Sequence, residues 1–202
     1  MKIIVLWLMF VILAGTAMTL HAAGDAANVE TVQAQAPRLA KGETWVWSDR
    51  SETCLGDREG NWLFSVAGER FTGERLRNND LNLLRDTKDN DVHNSHEPHD
   101  GLLSFPLLVG REWGQEYMRK HNKRSQHFKV EAYEEVATKA GTFSAFRISG
   151  IDRRLDSGFG ILVNIWYAPS VHNIVKMTGV DENSRISVEG WNYELLEYRK
   201  SH

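Results

Sequence analysis

Phe128-Lys129-Val130-Glu131-Ala132-Tyr133 carries the clearest pattern in the chain. Phe128, Val130 and Ala132 alternate with Lys129, Glu131 and Tyr133, and a period of two is the signature of a strand with one buried face. Ala140-Gly141-Thr142 breaks the run. Glycine takes positive φ at little steric cost, so the chain can reverse there. Phe146 and Ile148 then alternate with Arg147 and Ser149. The pair predicts an antiparallel hairpin with a loop longer than the minimum.

Similar segments lie on both sides. Downstream, Ile161 to Tyr167 is the most apolar stretch after the N-terminus and predicts a central strand, ended by Ala168-Pro169-Ser170. Asn173 to Val180 returns, 181–184 turns, and Ile186 to Tyr198 predicts the last strand, with Gly190 shifting its phase as a bulge would. Upstream, strands are predicted at Trp45-Val46-Trp47, Trp62 to Val66, Arg70 to Arg77 and Trp113 to Met118, with 55–61 read as a turn region. Leu81 to Arg85 reads as a strand or one helical turn. Pro106 cannot donate to a ladder, which places it at a strand start or edge. The fold expected is mainly β, a single curved antiparallel sheet or half-barrel over 42–202, preceded by an N-terminal signal helix.

Met1-Lys2 is a short basic start, Ile3 to Leu20 carries no charge, and Ala22-Ala23-Gly24 supplies small residues before Asp25. These three regions predict a secretory signal peptide over 1–24, cut after Gly24 or close by. Residues 25–41, rich in Ala and Gln, predict a flexible leader. The protein is therefore expected to be exported, to the periplasm. Cys54 is the one cysteine, which excludes an intramolecular disulfide and a Cys-rich zinc site. A lone thiol is expected to be buried and inert. The formal net charge of −3 gives no support for nucleic-acid binding.

Three groups of residues are candidate sites. His93, His96 and His99 sit in the most polar stretch, 86–100, among Asp86, Asp89, Asp91, Glu97 and Asp100. They could ligate zinc, nickel or copper. Asp-Asn-Asp and Pro98 argue instead for a solvated loop, where the spacing fixes no geometry. Lys120, Lys123 and Arg124 belong to a basic turn that could touch an anionic surface such as lipid headgroups, or simply face water. Trp45, Trp47, Trp113 and Trp166 could line an apolar ligand groove on the sheet, although large aromatics more often fill the core.

Phe-Pro-Leu-x-x-Gly-x-x-Trp at 105–113, Ala-Gly-Thr-Phe at 140–143 and Trp-Tyr-Ala-Pro at 166–169 together resemble an uncharacterised family of exported bacterial β domains. That family is similar in fold to the LolA/LolB-type lipoprotein carriers, half-barrels around an apolar groove. The resemblance spans Trp45 to Tyr198. The family pattern has a glycine after the Trp-Tyr-Ala-Pro turn, where Ser170, Val171 and His172 stand here. The resemblance implies fold and compartment rather than chemistry. No nucleophile elbow, Walker loop, dinucleotide fingerprint or His-Glu-x-x-His is present. The expectation is a non-catalytic envelope domain, with no catalytic residue and no cofactor, that binds an apolar or lipid-like ligand. The alternatives are an adaptor docking an envelope protein through a sheet edge, and metal binding through the histidines.

Overall fold

The computed structural model describes residues 32–201. Fourteen strands follow one another: β1 Gln33–Ala34, β2 Thr44–Trp47, β3 Arg50–Arg58, β4 Asn61–Gly68, β5 Thr72–Arg77, β6 Leu83–Lys88 and β7 Asp91–Glu97, then β8 Leu107–Leu108, β9 Glu112–Arg119, β10 Asn122–Thr138, β11 Gly141–Arg154, β12 Gly160–Ala168, β13 Asn173–Asp181 and β14 Tyr193–Arg199. Twelve of them close into one antiparallel barrel, each bonded to its neighbour in sequence apart from β1 and β8, which pair with each other. The sheet does not stop at a half-barrel. β14 turns back onto β2, pairing Leu195 with Trp47 and Tyr198 with Trp45. Closure removes the long free edges that an edge-docking adaptor needs.

The β10–β11 hairpin is the backbone of the wall. Thr138 pairs with Gly141, so the loop is Lys139-Ala140 alone and shorter than expected. A bulge between Val130 and Ala132 lets this long hairpin bend around the barrel. β3 lies where a turn was expected. Gly56 sits at a bulge against β4 with φ +113°, so it marks a kink within a strand rather than a reversal. The last strand is shorter than expected, because 182–192 is a turn-rich segment held to the end of β13 by the Val180–Ser187 bridge.

Twelve strands enclose more space than inward side chains fill. Eight give a lumen that side chains just close, and sixteen leave a channel. This barrel handles its surplus asymmetrically. One part is packed solid with Trp45, Phe64, Phe128, Phe146, Ile148, Ile165 and Tyr167, all at most 1% exposed. The excursion between β7 and β9 joins this core. Leu103 and Leu107 are buried in it, and the Phe105 ring stands edge-on to Tyr167 at 5.1 Å. The segment read as a flexible leader joins it too. Ala34 and Leu39 are buried, and β1 pairs with β8, so the folded unit starts well before Gly42. The expected signal peptide and helix lie outside the described residues.

The other part of the lumen is polar, as described below. Outward positions of β10 carry Lys123, Ser125, His127, Lys129 and Glu131. A transmembrane barrel presents an apolar band there, so this face of the wall meets water.

Close packing gives a first prediction. A Cβ at Gly150, on β11, would overlap the Phe128 ring and the backbone oxygen of His127. Gly150→Ala is expected to destabilise the protein by about 1–3 kcal/mol by overpacking, read as a lower urea midpoint with an unchanged slope.

Candidate functional site

The polar part of the lumen holds a cavity of about 550 Å³. Seven arginines and one lysine line it, against the carboxylates of Asp49, Asp86, Asp100 and Glu189. Two more buried carboxylates, Glu52 and Asp152, pair with the lining arginines. The surplus is cationic inside a chain whose own formal charge is −3.

β3 and β5 build the floor. Arg75 and Arg77 lie two apart on β5, and Arg50 and Glu52 two apart on β3, so each pair shares the inward face. Glu52 is fully buried and accepts from three guanidinium groups: Arg50 Nε at 2.7 Å, Arg75 Nη1 at 2.6 Å and Arg77 Nη2 at 3.1 Å. Burial alone would raise the Glu52 carboxyl, but Arg77, Arg75 and Arg50 override it and hold it well below the usual carboxylate range. Arg75 also grips Asp86 through two bonds, at 2.7 and 3.2 Å. Arg50 lies between the Trp47 and Tyr193 rings, 4.6 and 4.3 Å from their centroids.

β9, β10 and β11 build the wall. Arg124 Nε donates to Asp152 Oδ1 at 2.8 Å, and the Tyr117 hydroxyl donates to Oδ2 at 2.9 Å. Burial raises the Tyr117 phenol, and Asp152 raises it further, so it stays a donor. Beside Tyr117, with ring centroids 5.7 Å apart, lies His96. Burial, with Arg119 adding to it, depresses the His96 imidazole to about 4 and keeps it neutral. Several residues that line the cavity hold a buried polar atom without a partner within the protein: Arg77 Nε, Arg124 Nη2 and Arg154 Nε among donors, and Asn94 Oδ1 and His96 Nδ1 on β7. Buried polar groups are normally satisfied. Loops frame the mouth, where Arg70 meets Glu189 at 3.3 Å and the Phe71 and His93 rings stack at 5.3 Å.

The candidate residues fall differently from expectation. Trp45 and Trp47 are core: 0% and 3% exposed, their indole N–H groups donate to Val171 and Ile174 carbonyls. Trp113 donates to the Gly101 carbonyl and packs on Phe128. Trp166 lies on the alternate face of β12 and donates to Glu134. None of the four lines the cavity, whose cationic lining is mostly arginine. The histidines form no cluster. Residues 86–97 make the β6–β7 hairpin instead of a loop, where His93 stacks on Phe71 at the cavity mouth and His96 packs beside Tyr117. His99 lies on Gln115. No group of three or more metal-ligating side chains occurs among the described residues. The basic turn also divides. Lys123 faces out to Glu116 at 2.6 Å, Lys120 stands at the cavity mouth, and Arg124 points inward at 4% exposure. It is not one basic surface.

No family model matches the chain, and no curated protein matches it. Among solved structures, a "putative lipoprotein" from Parabacteroides distasonis ATCC 8503 is similar at 12% identity and a TM-score of 0.46, over 82% of this chain and 99% of that one. At that distance the likeness assigns no residue a role.

Asp100 makes the site pH-sensitive. Burial raises its carboxyl to about 6, against the pull of Arg77. The folded state therefore binds this proton more tightly than the unfolded chain. The group's penalty is present in full above pH 6 and relieved as pH falls toward 4. Asp100→Asn is expected to raise stability above pH 6 and to flatten the slope of stability between pH 4 and 6, measured by urea denaturation.

Proposed function

We propose that this protein is a non-catalytic binding barrel of the cell envelope, taking a small anionic ligand into its lumen. One observation carries the reading: an open, arginine-lined cavity with a cationic surplus, several of whose lining guanidinium groups keep an N–H without a protein partner. Three features support it. The volume suits a small-molecule site. The floor arginines are held rigidly by Glu52 and Asp86, so little ordering is needed on binding. Guanidinium groups are suited to carboxylate and phosphate oxygens. The envelope part of the reading rests on the leader pattern at 1–24.

Thermal melting with ligands at constant ionic strength tests it. Sulfate, phosphate and citrate are expected to raise Tm by several degrees over chloride, since a ligand at about 100 Kd stabilises by about 2.7 kcal/mol. Glycerol and a short-chain alkyl alcohol are expected to leave Tm unchanged. Equal Tm values in every salt would refute the proposal. Stabilisation by the alkyl alcohol alone would restore the apolar-ligand reading. Sulfate keeps its charge between pH 5 and 8, and protonating Asp100 removes a nearby negative charge. Sulfate is therefore expected to bind roughly three- to tenfold tighter at pH 5 than at pH 7.5, about 0.7–1.4 kcal/mol. Asp100→Asn is expected to abolish most of that difference.

A further inference from the structure

We infer that the ligand of this cavity is a hydroxylated acid, a sugar acid in its chemistry, bound by its anionic group to Arg124 and by neutral hydroxyls to Asn94 and His96. The inference rests on the anion-binding reading and adds the ligand's second half.

The unpartnered buried atoms are of two kinds, on strands β7 and β10 that flank β9. Arg124 Nη2 on β10 offers a charged donor. Asn94 Oδ1 and His96 Nδ1 lie two positions apart on β7, each residue 8% exposed. β9 separates the two strands, with Tyr117 between His96 and Arg124. His96 is neutral, so one of its ring nitrogens is an acceptor. Sulfate or a simple carboxylate could satisfy Arg124 but has no proton to give Asn94 or His96. A ligand that serves both must carry donors as well as an anionic group. Ammonium donors are disfavoured, because the surrounding surplus is already cationic and an added positive charge would be repelled. Hydroxyls are neutral donors. The cavity, about 550 Å³, is much larger than a bare oxyanion needs, and Phe71 and Trp191 among its lining offer apolar surface to the carbon skeleton of a polyol.

Isothermal titration of the purified protein with D-glucuronate, D-glucose, acetate and sulfate tests this. Glucuronate is expected to bind at least tenfold tighter than acetate, sulfate or glucose, about the worth of one or two added hydrogen bonds. Asn94→Leu and His96→Phe are each expected to weaken glucuronate about tenfold and sulfate by less than about twofold. A variant that merely disturbed the fold would lower both, and its urea midpoint would show it. Methyl β-D-glucuronide, capped only at the anomeric oxygen, distinguishes the source: equal affinity means that the site takes a chain end, and lost affinity means that it takes the free monosaccharide. Acetate or sulfate binding as tightly as glucuronate would overturn this inference and leave the anion-binding reading standing. Glucose binding as tightly as glucuronate, or no anion binding at all, would overturn both.

Discussion

Glu52→Gln is expected to destabilise the protein by about 3–5 kcal/mol, the cost of removing one member of a buried ionic network and stranding its partners. The substitution keeps the side chain's volume, removes its charge and turns one acceptor oxygen into an N–H donor facing the guanidinium groups. Glu52 is 0% exposed and is the shared acceptor of Arg50, Arg75 and Arg77, whose side chains are 10–14% exposed. Asp49 still faces Arg50 and Asp86 still faces Arg75. Arg77 keeps only the Leu81 carbonyl. At about 2–4 °C per kcal/mol for a chain of this size, Tm is expected to fall by roughly 10 °C. The loss is also expected to shrink in acid. Glu52 is depressed in the folded state, so its contribution is present in full above its unfolded value near 4.5 and declines progressively as pH falls from there toward the much lower folded value. Added sulfate is expected to stabilise this variant more than the wild type, since an anion in the cavity takes up part of the missing charge. A change under 1 kcal/mol at pH 7 would mean that the three arginines do not depend on Glu52.

Arg124→Met is expected to be nearly as costly for stability and more costly for binding. Asp152 is 0% exposed and would keep only the Tyr117 hydroxyl, leaving a buried carboxylate without its cation. The expected loss is about 3 kcal/mol or more at pH 7. Binding is expected to fall by roughly 2–5 kcal/mol, because the variant loses a guanidinium proposed to hold the anion. Asp152→Asn combined with Arg124→Met separates the two effects. With both charges removed, stability is expected to recover most of the loss while sulfate affinity does not. A double-mutant cycle on urea midpoints and sulfate titrations reads both quantities. Recovery of affinity in the double variant would show that Arg124 acts only through the fold.

Much of the wall was legible in the sequence. The alternation at Phe128–Tyr133 and Phe146–Ser149 led to the β10–β11 hairpin because its apolar side faces a packed core. The same alternation continues upstream to Gln126 and Arg124, both buried on the face of Phe128 and Val130. That continuation passed as a basic turn. Local reading takes charge as a sign of solvent, and here the inward face runs from an apolar core into a polar cavity. Arg75 and Arg77, Arg50 and Glu52, and Asp152 and Arg154 repeat the two-residue step, so ion pairs of matched phase on successive strands were the signal that pointed to the site. Gly56 hid β3, since a glycine at a bulge and a glycine at a turn look alike in a sequence. Closure was not legible. It rests on β14 meeting β2 across the whole domain, and no local pattern in Tyr193–Arg199 names Thr44–Trp47 as its partner. The tryptophans misled for a related reason. Their number suggested an apolar groove, whereas Trp45 and Trp47 close the core at that seam and donate their N–H groups to the stretch at 171–174.

The most direct test is a crystal structure of the protein grown with selenate, a heavier sulfate isostere located by its anomalous signal. A strong anomalous peak is expected inside the barrel, within hydrogen-bond reach of Arg124 Nη2. Anomalous peaks confined to arginines on the outer surface, with none in the lumen, would contradict the account.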